Sequence, residues 1–327
     1  MKEIKWGIIG CGDVTEKKSG PAFNKVDGSS LVAVMRRDRE KARDYAARHN
    51  VPRWYGDAGE LINDEGVNAI YVATPPHMHA KYAIDAMKAG KPVYVEKPMA
   101  VSYSDCLRMN TVSQKTGTPL FVAYYRRSLP YFLKVKEIIE EGKIGRILSA
   151  DIRYITHPRE NDFNKNNLPW RVISEIAGGG YFYDMACHQL DLLDYLFGPV
   201  TEVSGTFSNR GHLYKAEDTV ASSFKFSNDV VGTGIWSFVA SKNMHTDSMQ
   251  ITGEKGMISF SAFDFTPIRL NTKNGNFEFR PENPENIQYC LIKEVVSELH
   301  GTGKSPSDGI SGARTNKVMD IILNKKI

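Results

Sequence analysis

The sequence is poor in cysteine and contains no long hydrophobic run. Its 327 residues include four cysteines, which stand alone and form no C-x-x-C pair. Isolated cysteines in a chain of this length favour reduced thiols over a disulfide framework or a structural zinc. No stretch of about eighteen apolar residues occurs, and the apolar run near the N-terminus is too short for a signal peptide. These absences predict a cytoplasmic protein that does not cross a membrane.

The sequence also lacks a large excess of one charge. It has 42 Lys and Arg against 38 Asp and Glu, and its net charge is +4. The basic residues cluster only in pairs, which argues against nucleic acid as a partner. A hydrophobic content of 41% with 24% charged residues is typical of a globular protein. The length predicts two domains.

The N-terminus has the pattern of a dinucleotide-binding βαβ unit. A short β-rich run precedes "GCGDVT", in which Gly10 and Gly12 occupy the first two positions of G-x-G-x-x-G. Gly10 permits a tight turn, and Gly12 lets the backbone approach a pyrophosphate at the start of the next helix, near Asp13 and Val14. Thr15 departs from the motif at the third glycine position, and a plain glycine turn is the alternative interpretation.

The second predicted strand ends in two arginines, where an NAD-binding protein would carry an acidic residue. Arg36 and Arg37 could bind a 2′-phosphate and stack on adenine, whereas a carboxylate would repel that phosphate. We therefore expect NADP(H) to be preferred, with NAD(H) possible. Two solvated arginines are the alternative, and Asp38 could hold a ribose if the register is shifted by two residues.

Strands and helices continue to alternate up to Ala123, which predicts a doubly wound parallel sheet over residues 1–123. Ligands of such sheets lie beyond the carboxyl ends of the strands. The residues expected to face the cofactor there are Thr74, Pro75, Pro76, His79, Glu96, Lys97 and Pro98. His77 and His79 have no cysteine or carboxylate nearby at ligand spacing, so no metal site is predicted.

Residues 124–327 contain alternating or β-branched runs separated by turn residues, which predict a meander of strands. Within this part, the three glycines of "AGGGYFYDMACHQLDLL" predict a loop whose backbone passes close to a ligand. Asp184 and His188 follow at i and i+4 on one helix. A hydrogen bond between them would orient the imidazole and raise its basicity. A partly buried histidine satisfied by a neighbouring carboxylate is the alternative.

Several motifs together resemble one known family. In order and spacing, "GIIGCGDV", "VATPPHMHAKYAIDAMKAGKPVYVEKP", "YYRR", "PWR" and "GGGYFYDMACHQLDLL" are similar to the glucose-fructose oxidoreductase, inositol dehydrogenase and rhizopine catabolism family of NAD(P)-dependent oxidoreductases. The resemblance covers nearly the whole chain. It implies a Rossmann domain and a C-terminal α/β domain with a large, mainly antiparallel open sheet. In relatives that sheet often makes oligomer contacts, so a homodimer or homotetramer is expected, and the final helix, about 309–324, packs back on the first domain.

The resemblance also implies the chemistry, which is hydride transfer between nicotinamide and a secondary alcohol or carbonyl. The family's E-K-P lysine matches Lys97, and its D-x-x-x-H pair matches Asp184 and His188. His188 suits general acid–base catalysis, although some relatives carry tyrosine there. Lys97 would polarise the substrate oxygen, and its bond to Pro98 can be cis. Asp184 would orient His188 or hold a substrate hydroxyl.

The substrate is predicted only as a class, a sugar, polyol or related cyclic diol. Candidate substrate residues are Tyr125, Arg127, Trp170 and Arg171, for which packing between domains is the alternative role. The polar loop "THPRENDFNKNNLPWR" favours a polyhydroxylated ligand, and His157 and His245 also lie in loops that could line a substrate pocket.

Two other functions remain open at this point. A non-catalytic NADP-binding sensor or regulator would need the cofactor pocket but not the proton relay. An enzyme that retains its NADP for internal redox cycling would keep both. The joint presence of Lys97, Asp184 and His188 favours catalysis over the sensor.

Overall fold

The structure, a computed structural model, describes residues 3–326. Its internal contacts divide the chain into two units. The first unit holds the chain through Leu129 together with residues 283–313, and the second unit holds residues 130–282 and the chain from Arg314 onward. The first unit therefore extends beyond the predicted boundary at Ala123 and recruits a late segment that the sequence had assigned to the second domain.

The first unit is built on a parallel sheet of six strands. Its strands are β1 (Ile4–Ile9), β2 (Ser29–Met35), β3 (Arg53–Tyr55), β4 (Ala69–Val72), β5 (Val93–Val95) and β6 (Leu120–Val122). Its helices up to Leu129 are α1 (Asp13–Lys17), α2 (Arg39–Arg48), α3 (Ala58–Ile62), α4 (His79–Lys88) and α5 (Tyr103–Thr116). The strand order β3-β2-β1-β4-β5-β6 reverses direction between β1 and β4. This confirms the predicted doubly wound sheet, and the ligand crevice of such a sheet lies at that reversal.

The second unit is built on a sheet of eight strands. Its helices up to residue 282 are α6 (Pro130–Glu140), α7 (Ser174–Ala177) and α8 (Gly180–Phe197). Its strands are β7 (Ile147–Ile155), β8 (Val200–Ser208), β9 (Thr219–Phe226), β10 (Val231–Ser237), β11 (Thr246–Gly253), β12 (Gly256–Phe260), β13 (Ile268–Thr272) and β14 (Gly275–Phe279). The order is β14-β13-β12-β11-β7-β10-β9-β8. Only the β7–β10 pair is parallel among these strands of the described chain, so the predicted mainly antiparallel sheet is confirmed.

Helix α8 packs on this sheet through aromatic and amide contacts. The ring of Phe182 meets that of Trp236 edge-on, at 5.2 Å between centroids. The indole nitrogen of Trp236 donates to the side-chain oxygen of Gln189 at 2.7 Å. Both contacts are buried, and they fix the rotation of α8 about its own axis. The helix therefore presents Asp184 and His188 in a defined direction.

The segment 283–313 joins the first unit through backbone and side-chain hydrogen bonds. At the end of β6, the backbone nitrogen of Val122 donates to the Ser307 carbonyl, and the Ser307 hydroxyl donates to the Val122 carbonyl. The segment contains α9 (Tyr289–His300) and the start of α10 (Gly309–Ile322). From Arg314 onward, α10 is counted with the second unit. The part of α10 up to Ala313 therefore belongs to the first unit, and the packing of the final helix back on that unit stays a prediction.

Helices α1 and α2 are linked by an ion cluster around Glu16. Arg48 donates from both of its terminal nitrogens to the two oxygens of Glu16, at 2.8 Å each, and His49 lies 2.7 Å from one of them. The hydrogen bonds from Arg48 hold the pKa of Glu16 down at about 2, against 4.5 for an unperturbed glutamate. The cluster therefore stabilises the position of α1 while Glu16 is ionised.

We predict that the stabilisation from this cluster is lost in acid. Because the folded pKa of Glu16 is depressed, its contribution to the free energy of unfolding is complete above pH 4.5 and disappears as the pH falls towards about 2. Denaturant unfolding of the parent and of Glu16→Gln should differ at neutral pH and converge over that range. Glu40→Gln, which removes an exposed pair with Arg43 on α2, is the control and should have little effect at any pH. A constant difference between parent and Glu16→Gln at all pH values would contradict the prediction.

Candidate active site

The glycine turn after β1 is shaped for close backbone approach. Gly10 has a φ of +97°, and a Cβ there would lie 2.9 Å from the backbone nitrogen of Thr74. Only glycine is compatible with this position. At Gly12 a Cβ would meet only the Gly10 carbonyl oxygen, at 3.9 Å, and no side chain caps α1. The space beside Gly12 and the uncapped first turn of α1 fit a pyrophosphate.

Thr15, the departure from the glycine motif, is accommodated by a glycine that the sequence analysis did not consider. Its buried hydroxyl donates to the Gly12 carbonyl at 2.8 Å, and its own carbonyl accepts from Tyr45 at 2.8 Å. A Cβ on Gly20 would collide with that carbonyl and with the Tyr45 hydroxyl. Gly20 therefore supplies the close approach that the third motif glycine provides elsewhere.

The two arginines after β2 lie beside this turn. Arg36 is half-buried and donates to the Cys11 carbonyl at 3.4 Å. Arg37 is exposed, and its charge helps burial to lower the pKa of His77 in the loop after β4. Asp38 accepts from the backbone nitrogen of Lys41 at 3.2 Å and caps α2. The carboxylate considered as the alternative ribose ligand is therefore engaged in starting a helix.

His79 connects the loops after β4 and β5. It is fully buried, with Nδ1 3.1 Å from the Pro98 carbonyl oxygen and Nε2 2.7 Å from that of Thr74. Burial lowers its pKa. The ring of His79 is thus enclosed between the loops after β4 and β5, and its contact with the cofactor stays a prediction. The neighbouring Thr74 hydroxyl oxygen is buried and has no hydrogen-bond partner within residues 3–326, so it is available to a ligand.

Glu96 braces the turn that carries Lys97. One carboxylate oxygen accepts from the Tyr71 hydroxyl at 2.5 Å and from the Gln288 amide at 2.6 Å. The other accepts from the backbone nitrogen of Lys97 at 3.2 Å. Glu96 is only 6% exposed, so it fixes the turn from inside, and its contact with the cofactor stays a prediction. Lys97 is half-buried, and its bond to Pro98 is cis.

In the second unit, Asp184 forms an ion pair that the sequence analysis did not anticipate. Its carboxylate lies 3.2 Å from Nε of Arg171, whose guanidinium stacks 4.5 Å from the ring of Trp170. His188 is 4% exposed and has the ring of Phe263 at 5.8 Å. Arg171 therefore orients Asp184, and the pair Asp184–Arg171 joins the predicted pair Asp184–His188 as part of one candidate site.

The three glycines before α8 allow close packing within the protein. A Cβ on Gly179 would clash with Tyr183 and would lie 2.9 Å from Leu323 of the C-terminal segment. Gly178 has a φ of +89°, and its carbonyl accepts from Lys325 at 2.6 Å. These glycines thus allow a close approach to the chain's own C-terminal residues, and their approach to a ligand stays a prediction.

A cavity of about 140 Å³ lies beside α8. Its lining residues are Tyr154, Thr156, His157, Arg159, Tyr181, Met185 and Phe238. His157 and the polar loop that contains Arg159 were noted in the sequence, whereas the aromatic residues were missed. Tyr154 lies on β7, Tyr181 on α8 and Phe238 directly after β10. Aromatic residues at such positions equally indicate core packing, so the sequence carries no sign of their role.

The remaining candidate residues of the first unit, Tyr125 and Arg127, are both buried. Tyr125 is buried and has the Arg126 guanidinium 5.0 Å from its ring. Arg127 is 3% exposed and donates to the Pro306 carbonyl at 2.9 Å. This gives Arg127 a structural role within the first unit, and its contact with a substrate stays a prediction. Among residues 3–326, no group of three or more His, Cys, Asp or Glu side chains could hold a metal ion. No helix in the described chain is long and apolar enough to span a bilayer.

Comparison with known proteins identifies the family. Residues 4–124 match the model described as the oxidoreductase family with an NAD-binding Rossmann fold. Residues 132–259 match the model of the GFO/IDH/MocA C-terminal domain. The chain belongs to the GFO/IDH/MocA family of oxidoreductases. The family resemblance seen in the sequence motifs is thereby confirmed.

Individual members of the GFO/IDH/MocA family are similar over most of the chain. Oxidoreductase P35 of Formosa agariphila is 39% identical over 319 residues, which are 97% of this chain and 98% of that protein. The 1-carboxy-3-chloro-3,4-dihydroxycyclohexa-1,5-diene dehydrogenase of Comamonas testosteroni is 31% identical over 251 residues, 76% of this chain and 61% of that protein. A solved structure of levoglucosan dehydrogenase in complex with NADH shares the fold, with a TM-score of 0.89 at 23% identity, covering 98% of this chain and 96% of that one.

We predict that Lys325 stabilises the start of α8. Replacing it by methionine removes the donor to the Gly178 carbonyl and the cation 4.2 Å from the ring of Tyr183. The free energy of unfolding should fall by about 1–3 kcal/mol, measured by denaturant titration. Lys326→Met, at the exposed neighbouring residue, is the control and should leave stability unchanged. Equal stability of parent and Lys325→Met would contradict this role.

Proposed function

We propose that the protein is an NAD(P)-dependent dehydrogenase or reductase that acts on a CH–OH group of a sugar, polyol or related cyclic diol. The observation that carries the proposal is that each of the three candidate catalytic residues lies on a braced element of a GFO/IDH/MocA oxidoreductase. Glu96 holds the turn of Lys97, and Trp236 and Gln189 fix the rotation of the helix that carries Asp184 and His188. We infer the substrate class from the relatives, one of which is by its name a dehydrogenase of a dihydroxylated ring.

The residues of the first unit fit a nicotinamide dinucleotide. Gly10 makes the tight turn and Gly12 leaves room for the pyrophosphate beside α1. The unpartnered buried hydroxyl of Thr74 lies at the strand-order reversal where the crevice of a doubly wound sheet is found. Asp13 and Val14 begin α1 and Pro75 follows Thr74, and all three are proposed to line the dinucleotide. When bound, the nicotinamide accepts or supplies the hydride of the reaction.

The protein's own residues supply the proton and the charge stabilisation. In oxidation, the imidazole of His188 takes the proton of the substrate hydroxyl while the carbon–hydrogen bond breaks and a carbonyl forms. The ammonium group of Lys97 stabilises the negative charge that develops on that oxygen. Asp184, oriented by Arg171, holds the imidazolium or a substrate hydroxyl. In reduction the same proton returns from His188 to the oxygen.

A sensor that binds cofactor without turnover is the second candidate raised by the sequence. Such a protein would need the glycine turn and the Thr74 loop but would have no use for a braced Lys97 or a paired Asp184. We favour the enzyme because both of these features are present. Retention of the cofactor between turnovers is compatible with the same residues. None of the four cysteines, all within residues 3–326, forms a disulfide, and we propose the cytoplasm as the compartment. We also propose a homo-oligomer joined through the second unit's sheet as the assembly.

The catalytic assignment predicts selective loss of turnover. Lys97→Ala and His188→Ala should each lower kcat by about 10²-fold or more on a true substrate, because each removes a group that acts on the reacting oxygen. The Kd of the cofactor, measured by calorimetry, should stay within about threefold for His188→Ala. Lys88→Ala and His77→Ala, at exposed positions of the first unit, are the controls. Turnover within severalfold of the parent in both active-site variants would contradict the assignment.

We propose NADP(H) as the preferred cofactor, because Arg36 and Arg37 flank the glycine turn and Asp38 is engaged as a helix cap. Replacing both arginines by alanine should raise the Kd of NADPH about tenfold or more and change that of NADH by less than about threefold. Fluorescence titration of the nicotinamide measures both constants. Arg43→Ala, at an exposed position on α2, is the control. Tighter binding of NADH than of NADPH by the parent would overturn the preference.

A further inference from the structure

The cavity beside α8 is too small for a whole substrate. Its volume is about 140 Å³, whereas pockets that enclose complete small-molecule ligands usually measure roughly 300–1,000 Å³. It therefore accommodates one substituent of a larger molecule. The rings of Tyr154, Tyr181 and Phe238 form apolar walls, and Thr156, His157 and Arg159 add polar groups. No carboxylate is among the residues that line it.

Arg159 brings a positive charge to this cavity without an acidic partner. Its guanidinium lies 4.5 Å from the centre of the Tyr181 ring. Within residues 3–326, Arg159 forms no ion pair with a carboxylate. Arg171, which also precedes α8 in the sequence, differs because it is paired with Asp184. A guanidinium held by stacking and left without a counter-ion favours an anionic ligand.

Asp162 fixes the Tyr181 ring and the Arg159 backbone, which lie beside the guanidinium of Arg159. It is fully buried, and one oxygen accepts from the Tyr181 hydroxyl at 2.7 Å while the other accepts from the backbone nitrogen of Arg159 at 2.8 Å. Both oxygens are thus used to position the aromatic ring and the backbone below the guanidinium. Arg159 is exposed, so an anion can reach its guanidinium, and the fixed Tyr181 ring beneath it limits the freedom that is lost on binding.

The cavity adjoins the candidate catalytic residues within the second unit. Met185, which lines it, follows Asp184 directly on α8. The ring of Phe263 lies 5.0 Å from that of Tyr154 in the cavity wall and 5.8 Å from that of His188. One aromatic ring therefore separates the cavity from the proposed proton donor. A group bound there would belong to the same molecule whose hydroxyl reacts.

We propose that this cavity is the subsite for a carboxylate, so that the substrate is a hydroxylated ring that carries an acid group, such as a sugar acid or a carboxylated cyclic diol. The inference rests on the proposed function and narrows its substrate class. Arg159 binds the carboxylate through two parallel N–H···O hydrogen bonds, and Thr156 and His157 lie within the same lining. The carboxylated diol named for the Comamonas testosteroni relative has this chemistry.

The test compares substrates that differ only in the acid group. Initial rates with NAD⁺ and NADP⁺ are measured on D-glucuronate against D-glucose, D-galacturonate against D-galactose, and a cyclohexadiene diol with and without a ring carboxylate. We expect the acid member of a pair to have the higher kcat/KM in the parent by about tenfold or more. In Arg159→Gln the kcat/KM for the acid should fall by about 10- to 100-fold, chiefly through KM, while that for the neutral member changes by less than about threefold.

Two variants complete the design. Arg159→Lys keeps the charge and should retain part of the preference for the acid, and Arg153→Gln, at an exposed arginine on β7, should leave the ratio unchanged. The subsite would be overturned if Arg159→Gln lowered kcat/KM equally for the acid and the neutral substrate of a pair. It would also be overturned if the parent had the higher kcat/KM on the neutral substrate.

Failure of the proposed function is distinguishable from failure of the subsite. If no pair is turned over, calorimetric titration of parent and Arg159→Gln with D-glucuronate and D-galacturonate at saturating NADPH or NADH decides. Binding that is lost in Arg159→Gln supports the subsite and places the failure in the proposed reaction. Absence of binding by the parent overturns the subsite.

Discussion

A buried carboxylate, that of Glu96, organises the first unit. Removing a carboxylate from water is unfavourable unless hydrogen bonds replace its hydration, and each donor lost costs about 1–3 kcal/mol. Glu96 receives its donors from β4 through Tyr71, from its own turn through Lys97, and from the late segment through Gln288. The Tyr94 hydroxyl in turn donates to Gln288 at 2.9 Å. The position of Lys97 is therefore determined by residues distant from it in sequence.

In the second unit, carboxylates also fix loops by accepting hydrogen bonds from backbone nitrogens. Asp247 accepts from the backbone nitrogens of residues 262–264 and so shapes the loop that carries Phe263. Asp218 accepts from the backbone nitrogens of Arg210 and Gly211. Asp162 does this for Arg159. Carboxylates that satisfy backbone N–H groups thus replace secondary structure where the chain must be irregular.

The sequence predicted most of the regular structure because the pattern of that structure is local. Buried parallel strands are continuous apolar runs, the glycine turn is a contiguous motif, and α8 has helical period. It missed β3 and β14, which are short and only half-buried or exposed, so no clear alternation marks them. The candidate catalytic residues were found through motifs. Their supports were not, since pairs such as Glu96–Gln288 lie 192 positions apart.

Structural partners of the candidate residues were missed for the same reason. His79 and Arg127 follow β4 and β6 in the chain, and in sequence they are indistinguishable from ligand-binding residues. Both are buried and bonded to carbonyl oxygens of segments that the fold brings beside them. The glycines before α8 were correctly taken as a close approach, but what approaches is the side chain of Leu323, near the end of the chain. Local pattern indicates that a contact exists and does not identify its partner.

During synthesis, the ribosome releases residues up to Leu129 well before it reaches 283–313. Until then the carboxylate of Glu96 has no amide from Gln288, and the end of β6 has no Ser307 to pair with. The intervening residues 130–282 emerge first, yet they in turn wait for the chain beyond Arg314. Both units of a nascent chain therefore stay incomplete until α10 leaves the ribosome. A chain truncated shortly before that helix would leave both units unfinished, which makes it a ready substrate for chaperones and proteases.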